Sequence, residues 1–284
     1  MEIGRVLVLG ARGMLGRELM KLYGRDRAVG WDRETFDFAR LADVKADITK
    51  IKPDAIINCV AYNDVNRAET ERDKAFKINA ESVGELGKLC RELDIPVVHF
   101  STNYVFDGKK GEYSEVDEPH PLSAYGASKY EGEKLLRQNC SKYYLVRTSV
   151  IFGTRVEGSE SKESFVAFVL QKTKNHEPIF AYTDEIGSFT YAVDLARAAA
   201  LLLEEQKPYG IYHIVNSGHG SRYELAEETL RLHGLLEGSA LRPVTLQDRP
   251  RAANIPRKSV LLNTKLPGMR PWQEALAEYL NQES

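Results

Sequence analysis

Two sets of residues in this sequence have types and spacings that could do chemistry. Gly10-Ala11-Arg12-Gly13-Met14-Leu15-Gly16 lies near the start, and Ser101-Thr102 is followed further on by Tyr125-Gly126-Ala127-Ser128-Lys129. A glycine loop between a strand and a helix can hold a dinucleotide. Gly10 permits the tight turn, Gly13 lets the backbone approach a pyrophosphate, and Gly16 lets the helix pack close to the sheet, with the helix N-terminus facing the phosphates. Three glycines in an ordinary turn would look similar in isolation. The apolar run before them and the amphipathic run through Met14 and Leu15 after them favour the cofactor loop.

The second set offers a hydroxyl, a phenol and an ammonium. Tyr125 and Lys129 have the spacing that shares a helix face. An ammonium beside a phenol is expected to lower the tyrosine pKa from ~10 toward neutrality. Tyr125 is then a general acid for a carbonyl oxygen that receives hydride, and Thr102 would hydrogen-bond the same oxygen. Tyr130 and Lys134 repeat the spacing, but about five residues further along a helix is roughly 140° round. Tyr130 is therefore assigned to packing or surface. Thr102, Tyr125 and Lys129 are the catalytic candidates, and together with the loop they point to a nicotinamide-dependent reductase.

Asp32 ends the second apolar run, near the ~20-residue offset at which a carboxylate meets the adenosine ribose. An acid there favours NADH, whereas Arg12 and Arg33 could bind the 2′-phosphate of NADPH, so the sequence leaves NADPH or NADH open. Asp37-Phe38 is a candidate adenine contact, with a surface turn as the alternative. Ala61-Tyr62-Asn63 would line the ribose and nicotinamide side.

Positioning these groups takes an alternation of strands and helices. Residues 5–9, 28–31, 55–60, 96–100, 144–148 and 210–215 read as strands. Residues 14–22, 75–93, 128–138, 165–174, 190–205, 222–233 and 272–280 read as helices. The pattern predicts an α/β fold, a Rossmann-like doubly wound parallel sheet with a smaller interleaved α/β substrate-binding region. Residues 1–150 with about 187–215 are assigned to the dinucleotide-binding domain, and 151–186 with 216–284 to the substrate-binding region. Ligands bind beyond the carboxyl ends of such strands. The glycine loop, residues 60–62, Ser101-Thr102 and Ser149-Val150 all fall there. The polar stretch 155–162 reads as a loop.

The 284 residues carry a net charge of −2 and 43% apolar content, enough for a sizeable core. Acidic and basic residues are mixed throughout, with no basic stripe for nucleic acid or a membrane surface. Cys59, Cys90 and Cys140 lie far apart, which fits a reducing compartment. The histidines are scattered, so no metal is expected. No apolar run approaches a membrane span, and the opening residues lead into a strand and not a signal peptide. The expectation is a cytoplasmic enzyme with a small-molecule substrate, without nucleic-acid or membrane partners, and with a homodimer left open.

The motifs also resemble the extended short-chain dehydrogenase/reductase superfamily, and within it the dTDP-4-dehydrorhamnose reductase family. The carriers are the glycine loop, Asn58-Cys59-Val60-Ala61-Tyr62-Asn63-Asp64-Val65, Ala68-Glu69 and Ile78-Asn79-Ala80. Ser101-Thr102-Asn103-Tyr104-Val105-Phe106-Asp107-Gly108, the Tyr125–Lys129 stretch, Arg147-Thr148-Ser149, residues 184–194 and Trp272-Gln273-Glu274-Ala275-Leu276 complete them. The resemblance implies that Thr102, Tyr125 and Lys129 are catalytic and that Lys129 also holds the cofactor ribose. It implies that Thr102, Asn103, Tyr104 and the residue at Val150 face a nucleotide-linked sugar, and that Asn79 is a structural asparagine near the proton relay. Four departures lie on the substrate side: Asn103 for the usual Asp, Val150 for a substrate-facing Trp, Glu163-Ser164-Phe165 for Asn-Asn-Phe, and Ser188-Phe189-Thr190 for Ser-Pro-Thr. The implied activity is NAD(P)H-dependent reduction of a nucleotide-linked 4-keto-6-deoxy sugar. Another nucleotide-sugar reductase, an epimerase that retains NAD, and a cofactor-binding regulatory subunit are the competing readings.

Overall fold

The computed structural model describes residues 3–154 and 163–283, so the loop expected over 155–162 lies outside the described residues. Six strands form one parallel sheet in the order Gly210–His213, Tyr143–Thr148, Val97–Thr102, Ala55–Asn58, Val6–Leu9, Ala28–Trp31. The chain enters at Val6–Leu9, steps outward to Ala28–Trp31, and returns on the other side to Ala55–Asn58. The turn after Val6–Leu9 is thus the switch point at which ligand crevices form. Every residue of Val6–Leu9 and Ala55–Asn58 is buried, because helices cover both faces. Val6 and Val8 pack with Leu15 and Leu19 of helix Met14–Arg27 and with Leu195 of helix Ala192–Glu204. Leu7 and Leu9, on the other side of the pleat, pack with Val83 and Leu86 of helix Ser82–Glu92 and Leu136 of helix Ala124–Asn139.

Two helices differ from the sequence expectation in ways that shape the site. The one expected over 75–93 is three pieces: Arg72–Phe76, a π-helical turn Lys77–Glu81, and Ser82–Glu92. The π turn brings Asn79 inward, and Gly132 lies so close that a Cβ on it would stand 2.0 Å from the Asn79 carbonyl oxygen. The helix carrying Tyr125 begins at Ala124 and not at 128, because Ser123 Oγ accepts the Gly126 N–H at 3.1 Å and caps it.

The remaining strands are short. Gly220–Ser221, Ile186–Gly187, Lys258–Leu261 and Gly111–Tyr113 form a second sheet in that order, and Leu241–Val244 pairs in parallel with Ile179–Tyr182. Gly111–Tyr113, which lies in the chain between Thr102 and Tyr125, pairs with Lys258–Leu261, so segments far apart in the chain share a sheet.

Candidate active site

Gly10 has φ +78°, and its N–H and that of Ala11 donate to the Trp31 carbonyl at 2.8 and 3.0 Å. A Cβ on Gly16 would stand 2.1 Å from the Gly10 oxygen, so the helix start lies directly on the turn. Gly13 is the N-cap of Met14–Arg27 and supplies no side-chain cap. The first-turn N–H groups remain as donors at the positive end of the helix. Leu15 is buried in the core, and Met14 lies beside Gly153. Asp32, at the end of Ala28–Trp31, accepts the N–H groups of Arg12 and Arg33, both at 2.7 Å. The Arg12 guanidinium pairs with Glu34 at the surface, and Arg33 is exposed. A glycine cradle that any Cβ would fill, a bare helix start and an acid at the next strand end fit a dinucleotide.

The expected adenine contact at Asp37-Phe38 needs correction for the phenylalanine. Phe38 is buried in the core beside Phe36, its ring edge-on to Phe36 at 6.1 Å. Its apolar ring gains more from that packing than from a surface contact. Asp37 stays exposed and accepts the Ala39 N–H at 2.9 Å. Ala61 and Tyr62 are half-buried and Asn63 is exposed in the loop after Ala55–Asn58.

Asn79 is the clamp between that loop and the reaction site. Its side chain accepts the Tyr62 N–H at 2.8 Å, donates to the Tyr62 carbonyl at 3.0 Å, and donates to Ser128 Oγ at 3.0 Å. Ser128 in turn donates to the Tyr125 carbonyl at 2.8 Å. Thr102 ends the strand Val97–Thr102, donates to Asn103 Oδ1 at 3.3 Å and accepts the Tyr104 N–H at 3.2 Å. Burial pushes the Tyr125 phenol up to about 12, and the nearby Thr102 hydroxyl offsets a part of the rise. The lowering expected from Lys129 is absent. The Lys129 amine turns to the sheet, donating to the Phe100 carbonyl at 2.6 Å and standing 3.4 Å from His99 Nε2. Burial pulls Lys129 down to about 8, against the attraction of Glu133. Tyr130 packs near Phe106 and Tyr113 with Lys134 over its ring, apart from Tyr125.

Under these residues lies a buried ion pair. Glu133, on the helix of Lys129, meets Arg147 at 2.7 Å, with both side chains essentially inaccessible, and accepts a hydrogen bond from the Ser101 hydroxyl at 2.5 Å.

Beyond Thr102, Asn103 donates to Ser259 Oγ at 2.7 Å, so its amide is engaged by the second sheet. Tyr104 lies edge-on to Tyr125 at 6.1 Å and donates its hydroxyl proton to Glu185 at 2.8 Å. Arg222 and Arg251 hold the same carboxylate at 3.1 and 2.6 Å and keep it ionised despite burial. Arg251 and Arg249, with Asn66, Tyr182 and Phe180, line a cavity of about 460 Å³, with Arg249 over Phe180 at 4.1 Å and Arg251 over Tyr182 at 4.7 Å. Val150 has φ +37°, a strained conformation for a β-branched residue. Next to it, the Ser149 hydroxyl is buried without a partner, near Gly187. Ser164 caps helix Phe165–Lys174, and Ser188 accepts the Leu261 N–H at 3.0 Å.

No motif singles out Arg222, Arg251 or Ser259, and Glu185 enters only as part of the 184–194 stretch, since residues so distant in the chain carry no joint signal. His99 and Asn58 did carry one, as polar residues in otherwise apolar buried strands. Among the described residues no group of three or more His, Cys, Asp or Glu could hold a metal, and no helix is long and apolar enough to cross a membrane.

The parallel sheet, its glycine cradle and the hydroxyl pair beyond Val97–Thr102 define a Rossmann-like, NAD(P)-dependent oxidoreductase. Within that class the chain belongs to the family described as RmlD substrate binding domain, whose model matches residues 4–284. It is 35% identical to a dTDP-4-dehydrorhamnose reductase of Aggregatibacter actinomycetemcomitans, over 96% of this chain and 97% of that protein. It is 34% identical to the spore coat polysaccharide biosynthesis protein SpsK of Bacillus subtilis, over 99% and 98% of the two chains. Among solved structures, the dTDP-4-dehydrorhamnose reductase of Bacillus anthracis in complex with NADP superposes with a TM-score of 0.91 at 30% identity, covering 99% of this chain and 100% of that one.

Proposed function

We propose that the protein reduces the keto group of a nucleotide-linked 4-keto-6-deoxy sugar, dTDP-4-dehydrorhamnose or a close relative, with NADPH, or NADH, as reductant. The Thr102 hydroxyl at the end of a central strand, the Tyr125 phenol near it and the glycine cradle at the end of a neighbouring part of the same sheet carry this reading. When bound, the reduced nicotinamide supplies the hydride. Gly10, Arg12, Gly13, Met14 and Gly16 would cradle the pyrophosphate, with Asp32 and Arg33 on the adenosine side. Thr102 and Tyr125 would bind the keto oxygen, and Tyr125 would give it a proton. A phenol that stays protonated through the neutral range suits the direction of reduction. Lys129, one helical turn along from Tyr125, would supply the proton that restores the phenol. The relatives named above act on or bind what their names state, and they supply the choice of sugar.

Residues 1–150 with about 187–215 are read as the cofactor-binding unit, and 151–186 with 216–284 as the substrate-binding one. Three free cysteines accord with a cytoplasmic location. A homodimer is the assembly to test by sedimentation velocity.

The test of activity is oxidation of NADPH, followed by its absorbance, with a panel of nucleotide-linked keto sugars. Turnover of a dTDP-linked 4-keto-6-deoxy sugar supports the proposal. NAD that copurifies, with interconversion of epimers and no net oxidation, replaces it with an epimerase. Binding of NADPH without turnover of any member replaces it with a regulatory subunit.

A further inference from the structure

Behind Lys129 a line of hydrogen bonds runs through the middle of the sheet. The Val60 N–H donates to Asn58 Oδ1 at 3.0 Å. A backbone N–H can only donate, so that atom is the oxygen and the Asn58 nitrogen faces His99 Nδ1, at 3.0 Å. Nδ1 must therefore present a lone pair. His99 is fully buried, and burial together with the Lys129 charge holds it well below the usual histidine range, in the neutral form. Its one proton is then on Nε2, 3.4 Å from Lys129 Nζ. Lys129 passes the line on to the Phe100 carbonyl at 2.6 Å. Each member donates to the next once Nζ has lost its proton, because an ammonium has no lone pair with which to accept from His99.

We propose that His99, locked in its Nε2–H tautomer by Asn58, is a positioning residue that aims a donor at Lys129 and so sets both the place of Nζ and the ease with which it gives up a proton. The proposal rests on reading Lys129 as the proton source for Tyr125. An ammonium that meets a donor on one side releases its proton more readily than one surrounded by acceptors. The other groups around Nζ are few. Glu133 comes from its own helix and is held by Ser101 and Arg147 from the two neighbouring strands. From the strand Val97–Thr102 come the Phe100 carbonyl and His99.

The test begins with long-range proton–nitrogen NMR of the ¹⁵N-labelled protein. His99 should show the neutral Nε2–H tautomer from about pH 6 to 9. An Nδ1–H tautomer, or an imidazolium in that range, overturns the proposal whatever any variant does. In Asn58→Asp the carboxylate still accepts from Val60 and now also accepts from Nδ1, so the His99 proton moves to Nδ1 and a lone pair faces Lys129. The basic limb of kcat, and of NADPH affinity, should then move up by about one pH unit. A limb that stays put while the tautomer changes overturns the proposal. A wild-type protein that binds NADPH but reduces no keto sugar defeats the proposed activity instead, and the tautomer and NADPH affinity still decide the role of His99.

Discussion

Asn103 and Ser259, 156 residues apart, meet at 2.7 Å and join the turn after the proposed catalytic threonine to the second sheet. Removing the serine hydroxyl leaves a buried amide with the Ser259 carbonyl at 3.5 Å as its remaining partner on that side. Ser259→Ala should cost about 1–2 kcal/mol of stability and raise KM for the sugar nucleotide while kcat holds. Thermal unfolding and steady-state kinetics read both. Unchanged values would show that this contact does not shape the pocket.

Tyr125→Phe removes the proposed acid and leaves the glycine cradle intact. The rate should fall by about a hundredfold or more, with NADPH affinity preserved in a fluorescence titration. Tyr130→Phe, apart from the site, should keep most of the activity. The opposite pattern would move the chemistry to the overlapping motif.

The pH profile has a defined sign. Tyr125, raised to about 12, stays protonated throughout the working range and contributes no limb there. Lys129, lowered to about 8, loses its proton as pH rises through that value, so kcat should fall on the alkaline side near it. A profile flat to pH about 10, near the ordinary lysine value, would contradict the burial of this amine.

Arg33→Ala should weaken NADPH by about tenfold, the loss of one charge-assisted contact with the 2′-phosphate, and leave NADH nearly unchanged. Equal losses for both cofactors, measured by titration, would place Arg33 away from the phosphate.

Glu133→Ala strands Arg147 in the core without its partner. A loss of about 3 kcal/mol is expected, read by denaturant unfolding. The Phe106 ring 5.1 Å from that guanidinium does not replace a carboxylate. A loss under about 1 kcal/mol would mean that water reaches Arg147.

What was legible in the sequence was local. The strand Ala28–Trp31 and the helix Phe165–Lys174 have the bounds that their residue patterns predict, and the glycine loop lies where its spacing puts it. The short strands Ile186–Gly187, Gly220–Ser221 and Leu241–Val244 are too brief, or too polar, for a period of two to register. Leu241–Val244 even contains Pro243. The π turn at Lys77–Glu81 is invisible because its residues are ordinary helix formers. The misjudged tyrosine has a different cause. The spacing of Tyr125 and Lys129 puts both on one helix, but the charge on a phenol depends on what buries it. Tyr104 and the Phe100 carbonyl are in neither motif's spacing.

The second sheet has a consequence for the order in which the protein matures. Lys258–Leu261 lies between Ile186–Gly187 and Gly111–Tyr113, and it is made last of the three. A chain emerging from the ribosome has all six strands of the large sheet, the glycine cradle and Tyr125 once residue 213 is out. Its proposed substrate wall still lacks the partner of Asn103. Cofactor affinity and sugar affinity are thus expected to be acquired at separate moments of synthesis. A chain released early would hold a dinucleotide with nothing to reduce.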